Sequence, residues 1–136
     1  MIKNLDHIAV AVHNVEKAAQ FYQDMLGLEL RNVEVVKEQK TKVGFFSIGT
    51  TNIELVEPAT EDSPLVKFLE TKGPGIHHVC FEVDDIDQEI KKLIEKGALL
   101  IDKEPRPGAH GTRVAFLHPK GTGGVLIELS EKPKTG

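Results

Sequence analysis

The chain has 136 residues, of which 40% are hydrophobic and 28% are charged, so it is long enough for one globular domain and too short for two ordinary ones. The formal net charge of −4 argues against a general nucleic-acid-binding protein or a protein that binds anionic membrane surfaces. The single cysteine, Cys80, excludes an intramolecular disulfide bond, and no apolar run is long enough to cross a membrane. We therefore expect a cytoplasmic protein with no nucleic-acid or membrane partner.

The sequence contains one motif twice. The stretch "LDHIAVAVHNVEKAAQFYQDMLGLEL" matches "IHHVCFEVDDIDQEIKKLIEKGALL", because each has an apolar strand, then Asn or Asp, then a helical pattern, then Gly. The histidines His7 and His78 of the two copies are 71 residues apart. The chain is therefore predicted to be a single domain, 1–136, with a first module at about 1–58, a linker at 59–75 and a second module at about 76–131.

Each module is predicted to have the element order βαβββ. Asn14 and Asp85 are the predicted N-caps of the two helices, and Gly27 and Gly97 suit the left-handed residue that follows a helix. The linker is predicted to contain a short helix capped by Ser63 and ending near Glu70. The strands after the two helices are predicted at Glu29–Val36, Lys42–Ile48, Thr51–Val56, Leu99–Asp102, Arg113–Leu117 and Gly124–Ser130.

The adjacent histidines His77 and His78 differ in the face of the strand that they occupy. Side chains alternate between the two faces of a strand. In the first module His7 lies opposite the residues that pack beneath the helix, on an open face with the small residues Ala9 and Ala11. In the second module His77 shares the parity of the packing residues, and His78 lies opposite them. Parity and repeat offset therefore both predict that His78 is the counterpart of His7.

The last strand of each module contains a glutamate on the same open face. "NIELVEP" places Glu54 opposite its apolar residues, and "VLIELSE" does the same for Glu128. Each module thus supplies one imidazole and one carboxylate at matching positions. Imidazole suits Zn, Co, Ni and Fe, and carboxylates also suit harder ions such as Mn. The pattern predicts one metal site, with the ligands His7, Glu54, His78 and Glu128.

A basic segment interrupts the acidic chain. Residues 103–120 carry a charge of +3, so the remainder sums to −7. This imbalance indicates a small anionic ligand rather than a polymer. Glycines in "PGAHG" and "HPKGTGG" would let the backbone approach such a ligand closely. The charged residues of the segment are Lys103, Glu104, Arg106, Arg113 and Lys120.

Seven motifs run through nearly the whole chain: "LDHIAVAV", "EKAAQFY", "IELVEP", "EDSPLVKFL", "GIHHVCFEVDDID", "GAHG" and "FLHPKGTGGVLIEL". In these motifs the chain resembles the vicinal oxygen chelate (glyoxalase-like) superfamily and, within it, the methylmalonyl-CoA epimerases. The His and Glu pattern alone is loose. "HPKGTGGVLIEL" and "GIHHVCFEVDDI" together are much more specific to the epimerases.

The resemblance implies an α+β fold in which two βαβββ modules form a curved mixed sheet around a metal cleft. It implies one divalent metal ion, Co²⁺ in the first place and Zn²⁺, Mn²⁺ or Ni²⁺ as alternatives, on the four ligands named above. Position 54 is glutamine in some relatives, so either residue is compatible. The implied substrate is methylmalonyl-CoA, the implied reaction exchanges its 2R and 2S forms through a metal-stabilised enolate, and the implied assembly is a homodimer.

The resemblance also implies roles for individual residues. Glu128 is expected to be one catalytic base as well as a metal ligand. Some family members carry a second glutamate on the strand before the hairpin, whereas here that strand reads "KVGFFSIG". Glu38, Lys42 or a water at the metal are left as candidates for the second base. The expected contacts of the CoA phosphates are Lys120, Arg113 and His110.

Three other functions are compatible with this fold. Glyoxalase I (lactoylglutathione lyase) uses the same metal scaffold, but "HPKGTGGVLIEL" argues against it, and the basic segment suits CoA better than glutathione. A ring-cleaving dioxygenase normally binds Fe(II) with two histidines and one carboxylate, which the fourth ligand, Glu54, disfavours. Non-enzymatic binding modules of this fold lack the four metal ligands.

Overall fold

A computed structural model describes residues 1–134, so the last two residues of the predicted domain lie outside the described part. None of the helices within that part has the length and apolar character needed to pass through a membrane. The helices and strands, in chain order, are β1 (Ile2–Ala11), α1 (Val15–Asp24), β2 (Leu30–Val36), β3 (Thr41–Ile48), β4 (Thr51–Pro58), α2 (Pro64–Lys72), β5 (Gly75–Val83), α3 (Ile86–Glu95), β6 (Arg106–Pro107), β7 (Arg113–Leu117) and β8 (Ile127–Glu131).

The chain forms two compact units. The first unit comprises His7–His77, and the second comprises residues 1–6 together with the chain from His78 onward. Hydrogen-bonded strands follow the order β2-β3-β4-β1 in the first unit and β5-β8-β7-β6 in the second. In the first unit β4 pairs parallel with β1 and antiparallel with β3. In the second unit β8 pairs parallel with β5 and antiparallel with β7. Each unit is therefore mixed in strand direction, with the same local topology.

The core of the first unit lies between α1 and the strands. Val15 and Ala19 are four residues apart, so they lie on one face of the helix, and both are fully buried. They pack in one cluster with Phe46 of β3 and Leu55 of β4. This packing orients β3 and β4, and it leaves the other face of β4 for Glu54.

The core of the second unit repeats this arrangement. Ile86 and Ile90 of α3 are again four residues apart and buried. They pack with Val83, Ala115 and Leu129, which belong to β5, β7 and β8. In both units the apolar face of the strands packs against the helix, as predicted.

The predicted helix caps are confirmed. The side chain of Asn14 accepts a hydrogen bond from the backbone N–H of Lys17, and that of Asp85 accepts one from the backbone N–H of Gln88. These bonds satisfy donors that the first turn of a helix leaves without an intrahelical partner.

A second capping interaction was not predicted. Glu57 Oε1 accepts a hydrogen bond of 2.8 Å from the backbone N–H of Val15, the first residue of α1. Glu131 Oε2 accepts one of 2.8 Å from the backbone N–H of Ile86, the first residue of α3. Carboxylates at a helix N-terminus are also favoured by the helix dipole. The signal was present in the sequence, because Glu57 and Glu131 are 74 residues apart, as are Glu54 and Glu128.

Two predicted strands differ from the structure. The prediction of a strand at Leu99–Asp102 is wrong, because this segment is reduced to an isolated bridge from Leu100 to Leu117 with a few backbone hydrogen bonds beside it. At its end the Asp102 side chain takes part as well: its Oδ2 accepts from the Phe116 N–H at 2.9 Å. The last strand begins at Ile127 rather than at the predicted Gly124, since Gly124 has a φ of 101°, outside strand geometry.

Removing either helix-capping carboxylate should destabilise the fold. We expect Glu57→Ala and Glu131→Ala each to lower the free energy of unfolding by about 1–2 kcal/mol, because a helix N–H loses its acceptor. Urea unfolding followed by circular dichroism measures this. Glu61→Ala, an exposed glutamate, is the matched control. Equal stability of the Glu57 variant and this control would show that the capping bond contributes nothing.

Candidate metal and substrate site

The first histidine–glutamate pair lies on β1 and β4. These strands run parallel, and Ala9 pairs in register with Glu54. His7 precedes Ala9 by two residues and therefore shares its face. His7 Nδ1 lies 3.1 Å from Glu54 Oε2. His7 is only 8% exposed, so the pair is held away from bulk water.

The second pair lies on β5 and β8. Cys80 pairs in register with Glu128, and His78 precedes Cys80 by two residues on the same face. His78 Nε2 lies 3.0 Å from Glu128 Oε1. Glu128 is 5% exposed and His78 is 9% exposed. The structure thus brings together His7 with Glu54 and His78 with Glu128, by the same strand geometry.

The spacing within each pair fits a shared metal ion. Two donor atoms that lie about 2.1 Å from one ion and at right angles to each other are about 3.0 Å apart. The observed separations of 3.1 Å and 3.0 Å match this value. Imidazole nitrogen and carboxylate oxygen are a donor set that suits Zn²⁺, Co²⁺, Ni²⁺ and Mn²⁺. Each pair could therefore supply two neighbouring ligands to a divalent ion.

The small residues on the face of the strands that carries these pairs are enclosed. Ala9, Ala11 and Cys80 are fully buried. The room that Ala9 and Ala11 are expected to leave above this face stays a prediction, because the burial of a small side chain does not measure the space above it.

A phenylalanine lies on the neighbouring strand, directly opposite each site glutamate. Phe45 of β3 pairs in register with Glu54, and Phe116 of β7 pairs with Glu128. The two phenylalanines are 71 residues apart, the same offset as the two histidines. The Phe116 ring meets the His78 ring edge to face, with centroids 5.6 Å apart and planes at 83°. Each carboxylate therefore has an apolar neighbour on its outer side, which the repeat could have predicted.

His77 lies elsewhere, as the parity argument predicted. Its ring is 4.8 Å from the ring of Phe68 on α2, in an edge-to-face arrangement. This contact is a packing contact with the linker helix. His77 therefore has a structural environment that differs from that of His78.

The three expected CoA contacts occupy different environments. Lys120 is exposed in a short turn, where its backbone N–H donates to His118 Nδ1 at 3.1 Å. His110 is exposed, with a left-handed φ of 59° that is uncommon for a residue other than glycine. Their predicted contact with CoA stays a prediction.

Arg113 lies on the helix side of β7. It shares the parity of the core residue Ala115, and its Nη1 lies 2.9 Å from Asp87 of α3 and 3.7 Å from Glu131. The hydrogen bond from Arg113 holds the pKa of Asp87 below its ordinary value. Two carboxylates on this side compete with the predicted phosphate contact, which stays a prediction.

The candidates for the second base also differ in position. Lys42 Nζ donates to Glu16 of α1 at 2.8 Å, and this hydrogen bond raises the pKa of Lys42. Lys42 has the parity of the core residue Phe46, so it points to the helix side, and it is held in its protonated form. Neither property suits a base at the site. Glu38 is exposed in the turn before β3.

The chain is similar to proteins of known family. The sequence model of the Glyoxalase/Bleomycin resistance protein/Dioxygenase superfamily matches residues 6–116. The ethylmalonyl-CoA/methylmalonyl-CoA epimerase of Cereibacter sphaeroides is 43% identical over 134 residues, which are 96% of this chain and 99% of that protein. A probable lactoylglutathione lyase of Synechocystis is 30% identical over 128 residues, which are 93% of this chain and 95% of that protein.

A solved structure gives the same result for the fold. A variant of Streptomyces coelicolor methylmalonyl-CoA epimerase, in complex with 2-nitronate-propionyl-CoA, is 34% identical with a TM-score of 0.93, covering 99% of this chain and 98% of that chain. The predicted α+β glyoxalase-like fold is confirmed. The chain belongs to the glyoxalase-like superfamily and, within it, to the family of the methylmalonyl-CoA epimerases.

Proposed function

We propose that the protein is a metal-dependent epimerase that interconverts the 2R and 2S forms of methylmalonyl-CoA. The observation that carries this proposal is the repeated histidine–glutamate pair, with donor atoms 3.1 Å and 3.0 Å apart and side chains that are 6–13% exposed. Family membership supports the choice of substrate. The epimerase relative is 43% identical and the lyase relative 30% identical over nearly the same length.

In this proposal His7, Glu54, His78 and Glu128 hold one divalent metal ion. Co²⁺ is our first choice and Zn²⁺, Mn²⁺ or Ni²⁺ are the alternatives, since the donor set suits each of them. When bound, such an ion supplies Lewis-acid stabilisation of the negative charge that develops on the substrate oxygens. The protein's part is to hold four donors rigidly. The two pairs do this through their strand register rather than through loops.

The hydrogen on C2 of the substrate is acidic because it lies between a thioester carbonyl and a carboxylate. In the proposed mechanism, Glu128 removes this proton from one face of the substrate, and a second group returns a proton to the other face. Phe116 lies directly opposite Glu128 on the neighbouring strand.

For the second base, Glu38 or a water molecule remains as the candidate of this proposal. Lys42 suits the role less, given its hydrogen bond to Glu16. We also propose a homodimer in the cytoplasm, with no nucleic-acid or membrane partner. Light scattering after gel filtration tests the dimer.

The alternative function is that of glyoxalase I, which isomerises a glutathione hemithioacetal on the same scaffold. Both reactions move a proton next to a thioester or its precursor, so the metal site does not separate them. The positive charge of residues 103–120 favours CoA, which carries phosphates, over glutathione, which carries none.

The deciding experiment is proton NMR of methylmalonyl-CoA in D₂O with protein and Co²⁺. We expect the C2 hydrogen to exchange for deuterium, because removal of this proton is the first chemical step. The parallel measurement uses the hemithioacetal of methylglyoxal and glutathione. Turnover of the hemithioacetal without C2 exchange would replace the proposal with glyoxalase I.

Metal binding should distinguish the adjacent histidines. We expect His78→Ala to lose bound metal and activity, because it removes a ligand. His77→Ala should keep the metal and lose only the packing contact with Phe68. Elemental analysis of the two purified variants after loading with Co²⁺ gives the answer. Loss of metal from the His77 variant, with retention in the His78 variant, would refute the assignment.

Glu128 should matter more for turnover than for metal affinity. In Glu128→Gln the shape and one donor oxygen remain but basicity is lost, so we expect kcat to fall about 10²–10⁴-fold. Glu54→Gln is the matched variant and should lose less activity, since it retains a donor oxygen and Glu54 has no proposed base role. Isotope exchange measures turnover, and isothermal titration with Co²⁺ measures metal affinity. Equal losses in the two variants would remove the base role from Glu128.

The exposed Lys120 should contribute to binding of the CoA phosphates. We expect Lys120→Ala to raise KM for methylmalonyl-CoA about tenfold, because a charge-assisted hydrogen bond is lost, and to leave bound metal unchanged. The KM for the pantetheine thioester of methylmalonate, which has no phosphate, should change little. An equal rise for both substrates would mean that Lys120 does not contact the CoA nucleotide.

A further inference from the structure

The second unit contains a cation beside the proposed site that no part of the mechanism uses. Arg106 lies on β6, the edge strand of the order β5-β8-β7-β6. It pairs in register with Val114 of β7, so the two residues share a face of the sheet. Phe116, two residues beyond Val114, lies on this same face. Arg106 is therefore on the side of the strands that carries Glu128, whereas Arg113 is on the helix side.

The guanidinium group of Arg106 is stacked on an aromatic ring. Its Cζ atom lies 5.3 Å from the centroid of the Phe116 ring, within the range of a cation–π interaction. The same ring meets His78 edge to face at 5.6 Å. A single phenylalanine thus contacts both the cation and a proposed metal ligand.

Asp102 orients both partners of this stack. Its Oδ2 accepts a hydrogen bond of 2.9 Å from the backbone N–H of Phe116, and its Oδ1 lies 3.4 Å from Arg106 Nε. The Asp102 side chain is 16% exposed, whereas that of Arg106 is 50% exposed. The ion pair uses the Nε edge of the guanidinium, so this contact does not occupy the two terminal nitrogens.

We propose that Arg106, held by Phe116 and Asp102, is the residue that recognises an oxyanion of the substrate at the edge of the site. The inference rests on the proposed function and deepens it. A planar guanidinium binds a carboxylate or a phosphate through two parallel hydrogen bonds, and stacking fixes the plane in which these bonds form. Phe116 and Asp102 are positioning residues in this arrangement.

Two oxyanions of the substrate share this chemistry: its own carboxylate and the phosphates of CoA. Adjacent strands are about 4.8 Å apart, so the backbone of β6 is about 10 Å from that of β8, which carries Glu128. An arginine side chain covers much of this distance. The pantetheine arm separates the two oxyanions, and a substrate without phosphate distinguishes them.

The test measures the Kd of methylmalonyl-CoA and of the pantetheine thioester of methylmalonate by titration calorimetry, on Co²⁺-loaded protein. We expect Arg106→Ala to raise the Kd of methylmalonyl-CoA about 10- to 100-fold, the effect of losing charge-assisted hydrogen bonds. Arg106→Lys should retain only part of the affinity for methylmalonyl-CoA, because an ammonium group cannot form the bidentate contact. Metal content and thermal unfolding should match the wild type.

The matched control is Arg31→Ala. Arg31 is an exposed arginine on β2, the edge strand of the first unit, and it should leave both Kd values unchanged. A rise with both substrates assigns the carboxylate to Arg106, and a rise with methylmalonyl-CoA alone assigns a phosphate. Either result supports the inference. A change of less than twofold in Arg106→Ala, or an equal rise in Arg31→Ala, overturns it.

The same measurements separate this inference from the proposed function. If the wild type binds methylmalonyl-CoA but does not exchange its C2 hydrogen, the proposed function fails and the Kd comparison still decides the role of Arg106. If the wild type binds neither substrate, the proposed function and the inference both fall. If it binds and exchanges, only the Kd of the Arg106 variants bears on the inference.

Discussion

The parallel pairing of the first and last strands in each repeat fixes the positions of the proposed ligands. Glu54 pairs with Ala9, and Glu128 pairs with Cys80. In each case the histidine lies two residues earlier on the neighbouring strand, and its ring nitrogen reaches about 3 Å from the carboxylate. A register shift of one residue would turn the glutamate toward the helix and an apolar residue toward the site. The remaining features of the site depend on this register.

The last strand of each repeat uses both of its faces for a carboxylate. Glu54 and Glu57 are three residues apart and therefore lie on opposite faces, as do Glu128 and Glu131. The outer glutamate of each pair accepts a hydrogen bond from the first N–H of the helix. The helix is thus fastened to the strand that carries the proposed ligand, and helix packing and site geometry cannot change independently.

Much of the site could be predicted from sequence because repeat offset and strand parity are both independent of tertiary detail. They separated His78 from His77, and they paired each histidine with its glutamate. Parity could also have predicted the position of Arg113. This residue has the parity of Ala115 and therefore lies on the helix side, opposite to Val114 and Phe116.

The stacking of Arg106 on Phe116 could not be predicted. It depends on a two-residue strand, Arg106–Pro107, that carries no periodic signal. The strand predicted at Leu99–Asp102 is reduced to a bridge, and the bond from the Phe116 N–H to the Asp102 side chain beside it has no periodic signal either.

The division of β1 between the two units has a consequence for folding on the ribosome. Residues 1–6 belong to the unit that otherwise starts at His78, and their contacts reach Asp84 and Lys132: the Asp84 N–H donates to the Met1 carbonyl at 3.4 Å, and Asp6 lies 3.8 Å from Lys132. Residues 1–6 thus find these partners far along the chain, at positions 84 and 132. Contacts between such distant parts of a chain slow folding, because a long loop must close before they form. During synthesis the His7 end of β1 can pair with β4 before Asp84 and Lys132, the partners of residues 1–6, have left the ribosome.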